Sequence, residues 1–388
     1  MSFDKKTKYI NRERILDEFQ RLVSFDSPSY QEKATADYLK EKLLSLGLEV
    51  KEDNAAKELI SEDNTRVGAT SNIYGYLKGN VPGEPVLFSS HLDTVSPGTG
   101  KKAVIHEDGK ITSEGETVLG ADDVSGLVSI LEALTIIRDG ELEHPDIEIL
   151  FTVAEEPYCS GSRFVQYDSL KSKIGYVLDL TGSVGTAAIA APSIISLNIQ
   201  VKGKAAHAGF EPEKGINALS MAAEALAGIR TGRLGNGITV NFGTISGGAG
   251  KNIVPEEILI EGEIRGLDHE KAQEQVEAIK RIFEKSAEKY GGEIIFKAEE
   301  HIRAYGVAQD SDVVRRFKEA ANKLQSENGV NLITTYGGSD ANRLNEHGIE
   351  TIVLSCGMEN CHSCSEYTTI EELERSALLT LKLMQLTE

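Results

Sequence analysis

The stretch PVLFSSHLDT (85–94) decides how the chain is read. It opens almost wholly apolar, as a strand covered on both faces does, and then ends in His91 and Asp93. Open α/β sheets place their ligand sites at the carboxyl ends of such strands. In His-x-Asp the two side chains can project to the same side. Asp93 can then accept the free imidazole N–H and leave the other nitrogen of His91 for a metal. For the tripeptide alone, a solvated polar turn after a strand is the commoner case.

Outward from this stretch, strand and helix alternate. Residues 29–46 read as a helix, with Ser29 and Glu32 as a capping box, Leu39, Leu43 and Leu46 at helical spacing, and Gly47 as the stop. NIYGYLKG (72–79), IEILFTV (147–153) and IGYVLDL (174–180) read as strands, and Val124, Leu127, Val128, Leu131 and Leu134 mark an amphipathic helix. The first part is therefore α/β. After about residue 190, SIISLNIQVKG, a helix near 216–230, GITVNFGTIS, IVPEEILIEGEIRG, a helix near 269–289 and EIIFKAE form a smaller α+β pattern. A helix over 310–325, the strands NLITTY and ETIVLS, and a closing helix over 370–386 return to α/β texture. The expected organisation is a two-part catalytic domain, 1–190 and 303–388, interrupted by an inserted domain, 191–302.

Composition excludes several classes. The 388 residues carry 41 Lys+Arg against 61 Asp+Glu, a formal charge of −20, with 40% hydrophobic and 26% charged residues. That is globular composition, not disorder, collagen or coiled coil. The acidic balance repels phosphate backbones and anionic lipid, so no nucleic acid and no membrane partner is expected. No apolar run approaches the ~18 residues of a membrane helix, and MSFDKKTKYINRER (1–14) has no apolar h-region, so a cytoplasmic location is expected. Cys159, Cys356, Cys361 and Cys364 are too few for a disulfide framework and are expected reduced. The last three, with Cys159 as a fourth, match a plant-type iron–sulfur spacing, a pattern with many accidental matches.

Acids recur at comparable places. LGADDVSG (119–126) puts Asp122 and Asp123 at a turn before a helix, where they can also serve as its cap. AEEP (154–157) follows an apolar strand with Glu155 and Glu156, whose side chains diverge and can take different tasks. Asp179 closes another strand, and His362 lies beyond a fourth. Each has an ordinary reading as a cap or a surface charge. Strand after strand ending in His or carboxylate points instead to one shared metal site. His91, Asp122, Glu156, Asp179 and His362 supply two imidazoles and three carboxylates, too many for one tetrahedral zinc and suited to two metals with a bridging carboxylate. With no thiolate in the set, Zn²⁺, Co²⁺ or Mn²⁺ fits.

HLDT (91–94), GADDVSG (120–126), AEEP (154–157), DLTG (179–182), AAHAG (205–209), GGSDANRL (337–344) and His362 resemble the M20 family of metallopeptidases, most closely its peptidase T branch. The resemblance implies a doubly wound mixed-sheet catalytic domain holding two zinc ions, with Co or Mn as substitutes, and an inserted lid or dimerisation domain, with a homodimer as one outcome. It implies that Asp122 bridges the metals, that His91 and Asp179 complete one ion, and that Glu156 and His362 complete the other. Glu155 would be the general base acting on a metal-bridging water, and Asp93 would orient His91. It also implies a cis peptide before Asp123, an oxyanion-stabilising role for His207, and substrate contacts for Arg265 and Asn252. The expected activity is aminopeptidase cleavage of short peptides. An N-acyl amino acid deacylase or a carboxypeptidase is the alternative, and a catalytically silent metal-binding protein a further one.

Overall fold

The computed structural model describes residues 10–61, 64–324 and 329–386. Val86–His91 is a strand with every residue buried, and it lies inside a mixed sheet. Four parallel strands run side by side there, in the order Ile147–Thr152, Val86–His91, Ile174–Thr181, Glu350–Met358. Because they share a direction, their carboxyl ends share one edge. Ile73–Leu77 and then Glu49–Glu52 extend the sheet antiparallel on one side. On the other, Thr186–Ala191 pairs antiparallel with Glu350–Met358 and parallel with Asn331–Thr334. The α/β class with a mixed sheet is borne out.

Ala121–Gly140 is the crossover helix between Val86–His91 and Ile147–Thr152. It was expected to be amphipathic, but every residue from Ala121 to Ile137 is buried. One side lies on the parallel strands, while Arg12–Val23 and Ile370–Met384 cover the other. A helix enclosed between a sheet and other helices is buried all round, and its polar residues Ser129 and Glu132 are hydrogen-bonded there. Gly126 lies close against the sheet: a Cβ there would stand 2.5 Å from both the Leu178 carbonyl oxygen and Asp123 Oδ1.

The capping box expected at Ser29 and Glu32 does not form. The helix runs Lys33–Ser45 with Glu32 at its N-cap and no side-chain cap bond. Ser29 Oγ instead donates to Asp93 Oδ2 at 2.7 Å, and Glu32 Oε1 accepts the Tyr30 and Ala154 N–H groups at 2.8 and 2.9 Å. Both side chains are drawn away by tertiary partners that offer a buried group more than a helix end in water does. The stop is as expected, with Gly47 at φ 90°.

The chain divides into two compact units. One comprises the described residues up to Ala190, Gly306–Thr335, and those from Ser339 onward; the other comprises Ala191–Tyr305 and Tyr336–Gly338. The second unit holds a five-stranded antiparallel sheet in the order Gly232–Gly235, Ile238–Gly247, Glu257–Gly266, Ser193–Lys202, Glu293–Ile302. Helices Ala218–Ala227 and His269–Tyr290 join its core, where Leu197, Ile199, Val201, Met221, Ile260 and Phe283 meet. The strand expected from Ile253 begins only at Glu257, after Pro255, which has no N–H for a ladder. In the first unit the helix expected over 310–325 is Asp312–Lys323, residue 325 lying outside the described residues, and the closing helix is Ile370–Met384. Among the described residues no helix is long and apolar enough to cross a membrane.

The close approach at Gly126 makes a prediction. Gly126→Ala should destabilise the metal-free chain by about 1–3 kcal/mol through overpacking, read as a lowered urea midpoint at unchanged m-value. An unchanged midpoint would show that the helix can lift off the sheet freely.

Candidate metal centre and active site

The shared strand edge gathers the five predicted ligands. His91 ends its strand, Asp179 lies near the end of the next, Glu156 follows Ile147–Thr152, and His362 lies in the loop after Glu350–Met358. Asp122 reaches them from the start of Ala121–Gly140, where Asp122 and Asp123 hold non-helical angles and the peptide between them is cis. His91 Nε2 stands 3.0 Å from Asp122 Oδ1 and 3.8 Å from Asp179 Oδ1. His362 Nε2 stands 3.2 Å from Asp122 Oδ2 and 3.0 Å from Glu156 Oε2. The donors thus fall into two groups, His91–Asp122–Asp179 and Asp122–Glu156–His362, which share only Asp122.

These residues fit a pair of divalent cations. Ligands bonded to one ion at about 2.0–2.2 Å stand roughly 3–4 Å from each other, which is the spacing from each imidazole to its carboxylates, and all atoms of each group lie within 4.8 Å of one another. Glu156 Oε1 is buried without a hydrogen-bond partner. The donors are nitrogen and carboxylate oxygen, the set suited to borderline divalent ions. Among the described residues no thiol joins either group. Cys356 Sγ contacts the Leu178 carbonyl oxygen and Cys364 Sγ the Glu116 carbonyl oxygen, so the cysteines face different partners rather than one cluster.

The electrostatics say the same. Burial pushes Asp179 and Glu155 well above the usual carboxylate range and Glu156 above it. Burial would also raise Asp122, but hydrogen bonds from His362 and His91 outweigh it and hold that carboxyl well below the usual range. Burial lowers His91, yet its bonds to Asp122 and Asp93 keep it well above an ordinary imidazole. His362 is lifted to about 10 by hydrogen bonds to Asp122 and Glu156. The site is buried at His91 and Asp122 and opens outward to an exposed His362, and it holds more acid than base, an excess that added positive charge relieves.

A second ring of groups holds the ligand-bearing loops by their backbones. Asp93 is buried. Its Oδ1 lies 3.3 Å from His91 Nδ1 and accepts the Glu155 N–H at 2.9 Å, while Oδ2 accepts the Glu156 N–H at 3.2 Å and the Ser29 hydroxyl. It therefore touches both His91 and the backbone that carries Glu155. The Glu155 carboxyl is buried, and its Oε1 accepts from the Cys159 thiol at 3.3 Å, a thiol that burial keeps neutral. Asp123 Oδ2 accepts the Ser90 hydroxyl and the His91 N–H, and Oδ1 accepts the Gly126 N–H at 3.2 Å. Of the adjacent acids, Asp123 is thus the helix cap and Asp122 faces the imidazoles. Ala154, Tyr158, Cys159 and His362 all hold positive φ, between 46° and 62°. Non-glycine residues persist in that region only where surrounding bonds over-determine them.

Three buried acids of this ring are not foreseen as site residues by the motif reading. Glu32 holds the Ala154 N–H, and burial, then Asp93, lifts it to about 8. Glu366 accepts the Gly120 and Asp122 N–H groups at 2.7 and 2.9 Å, and burial lifts it to about 7. Asp340 accepts the Thr152 hydroxyl and is an electrostatic neighbour of Glu155. Their bonding partners are 122, 244 and 188 positions away in the chain, a separation with no local signal.

His207, Arg265 and Asn252 belong to the second unit. His207 is exposed and stacked on Phe210 with ring centroids 4.2 Å apart. Its Nδ1 accepts the Gly209 and Phe210 N–H groups, which leaves the proton on Nε2 as an outward donor. Arg265 forks onto Glu263 at 2.6 and 3.0 Å and donates to the Tyr336 carbonyl oxygen at 2.8 Å. Asn252 is exposed, and its carbonyl oxygen accepts the Ala208 N–H.

Comparison with known proteins bears on this arrangement. Residues 189–291 match the model of the peptidase dimerisation domain and residues 72–218 that of peptidase family M28. YqjE of Bacillus subtilis (strain 168), an uncharacterized protein, is 37% identical over 376 residues, 97% of this chain and 99% of that protein. A tripeptidase of Staphylococcus aureus superposes with a TM-score of 0.91 at 33% identity, covering 97% of this chain and 98% of that one. The aminopeptidase PepT of Bacillus cereus superposes at 0.88 with 36% identity, covering 97% and 99%. The chain belongs to the M20 peptidases, in a peptidase T-like branch. This M20 peptidase is accordingly a metallo-exopeptidase. A dinuclear metal-binding M20 peptidase of Bacillus subtilis shares the fold, with a TM-score of 0.72 at 18% identity over 96% of this chain and 97% of that one.

Metal uptake by this M20 peptidase should depend steeply on pH. With His362 lifted to about 10, an ion held through this imidazole at pH 7 would have to displace its proton. Affinity should rise about tenfold per pH unit for each proton displaced between pH 6 and 9, and titration calorimetry in buffers of different ionisation enthalpy should register proton release. An affinity flat with pH would contradict the charged imidazole. In the metal-free chain the same raised value stabilises the fold fully below the ordinary 6.5, a contribution lost as pH rises through about 10.

Proposed function

We propose that this M20 peptidase is a two-zinc aminopeptidase acting on short peptides of tripeptide size. The observation that carries the reading is one carboxylate, Asp122, facing two imidazoles that each have a further acid of their own. In this reading Asp122 is the bridge, His91 and Asp179 complete one ion, Glu156 and His362 the other, with Co²⁺ or Mn²⁺ as substitutes. When bound, a pair of divalent ions supplies Lewis acidity to a water and to the scissile carbonyl. The remaining work belongs to the side chains. Glu155 takes the proton of the attacking water and passes it to the leaving amine, a role suited to a buried acid with raised proton affinity. Asp93 orients His91 and steadies the Glu155 backbone. His207 donates from Nε2 to the developing oxyanion, and Asn252 contacts substrate. Arg265 is the group for a peptide carboxylate, which it meets by giving up Glu263. The names tripeptidase and aminopeptidase PepT, carried by relatives at 33% and 36% identity, support the substrate class.

We further infer a homodimer through the inserted domain, 191–302. Leu219, Ile245 and Leu259, between 44% and 53% exposed, are apolar groups left in water within the region that matches a dimerisation domain. Sedimentation should return the mass of two chains, and a monomer at micromolar concentration would remove the inference.

Two measurements test the chemistry. Glu155→Gln should lower kcat by at least about 10²–10⁴-fold while two metals per chain remain bound, and unchanged turnover would take Glu155 out of the mechanism. Ala-Ala-Ala should be hydrolysed and N-acetyl-alanine left intact; the reverse outcome assigns the enzyme to deacylation.

A further inference from the structure

The long helix Ala121–Gly140 begins at Gly120, which has no side chain to cap it, and Asp123 reaches only the Gly126 N–H further in. Its first free N–H groups are taken instead by Glu366, a side chain 1% exposed and more than two hundred residues away: Oε2 accepts from Gly120 and Oε1 from Asp122. Charge-assisted bonds of this kind are short and directional, and two of them fix both position and orientation. Glu366 is also bound to the metal site through its own loop. The bridge Glu359↔Tyr367 closes that loop, the Glu366 N–H returns to the Ser363 carbonyl oxygen at 3.0 Å, and His362 stands inside it at φ 62°. One short loop therefore supplies His362 and grips the backbone of Asp122, and the two side chains meet at 3.2 Å.

We propose that Glu366 is the positioning residue of the bridging carboxylate. It locks the Gly120–Asp122 turn to the His362 loop so that Asp122 faces both ion sites before any metal arrives. The inference rests on the reading of Asp122 as the bridge. A helix cap alone would explain the two bonds, but it would serve stability only, so metal affinity in the folded chain separates the two roles.

The experiment compares wild type, Glu366→Gln, Glu366→Asp and Asp122→Asn. It measures metal content, zinc affinity against a competing chelator, and the urea midpoint of each metal-free chain. Gln keeps the shape but turns an amide donor toward one of the two N–H groups; Asp keeps the charge but retracts it by a methylene. Zinc affinity should fall about 10–100-fold in Glu366→Gln, the scale at which groups behind metal ligands act. The fall should be smaller in Glu366→Asp and should appear in chains that remain folded. Wild-type zinc affinity in whichever Glu366 variant folds, with only the urea midpoint lowered, overturns the proposal and leaves a cap. Asp122→Asn is read separately: two metals bound at wild-type affinity there would overturn the bridge itself, whatever Glu366 does.

Discussion

Asp122 is the constraint on which the rest of the site depends. A carboxylate buried at the start of a helix is costly unless it is paired, and this one is paired twice, once by each imidazole. Those imidazoles come from strands separated by Ile174–Thr181, one from a strand end and one from a loop after another strand. The helix start, the strand edge and the His362 loop must therefore be held together within roughly 0.5 Å.

The fold meets that demand with acids that grip backbone N–H groups. Asp93 takes the N–H groups of Glu155 and Glu156, Glu32 that of Ala154, and Glu366 those of Gly120 and Asp122. A carboxylate that accepts two N–H bonds fixes a loop more tightly than a side-chain contact does, because the peptide plane itself becomes the donor. The positive φ values at Ala154, Cys159 and His362 are the local cost of aiming those loops. The cost falls on the segments that carry Glu155, Glu156 and His362.

Chemistry is most legible where it sits at the end of an apolar run. His91 ends its strand and Asp179 lies two residues before the end of the neighbouring one, and parallel pairing brings such ends to one edge. A local pattern misleads where it has a tertiary competitor. Ser29 and Glu32 have the spacing of a capping box, yet one bonds Asp93 and the other Ala154. The helix at Ala121–Gly140 has apolar residues at helical spacing, but its polar positions, Ser125, Ser129 and Glu132, are buried as well, since neighbours cover every face.

What the linear chain determined by itself was therefore the inventory: the α/β alternation, the donor types, their place after strands, and the stop at Gly47. Periodicity and residue chemistry are local properties, and they survive without coordinates. The motifs already separate Asp122 from Asp123 and Glu156 from Glu155; what only the tertiary structure decided is the set of contacts that turns each acid its own way. Asp122 turns toward the imidazoles while Asp123 caps; Glu156 approaches His362 while Glu155 lies beside Cys159. Neighbouring side chains differ by a rotation of the backbone, and that rotation is set by hydrogen bonds from residues far away in the chain.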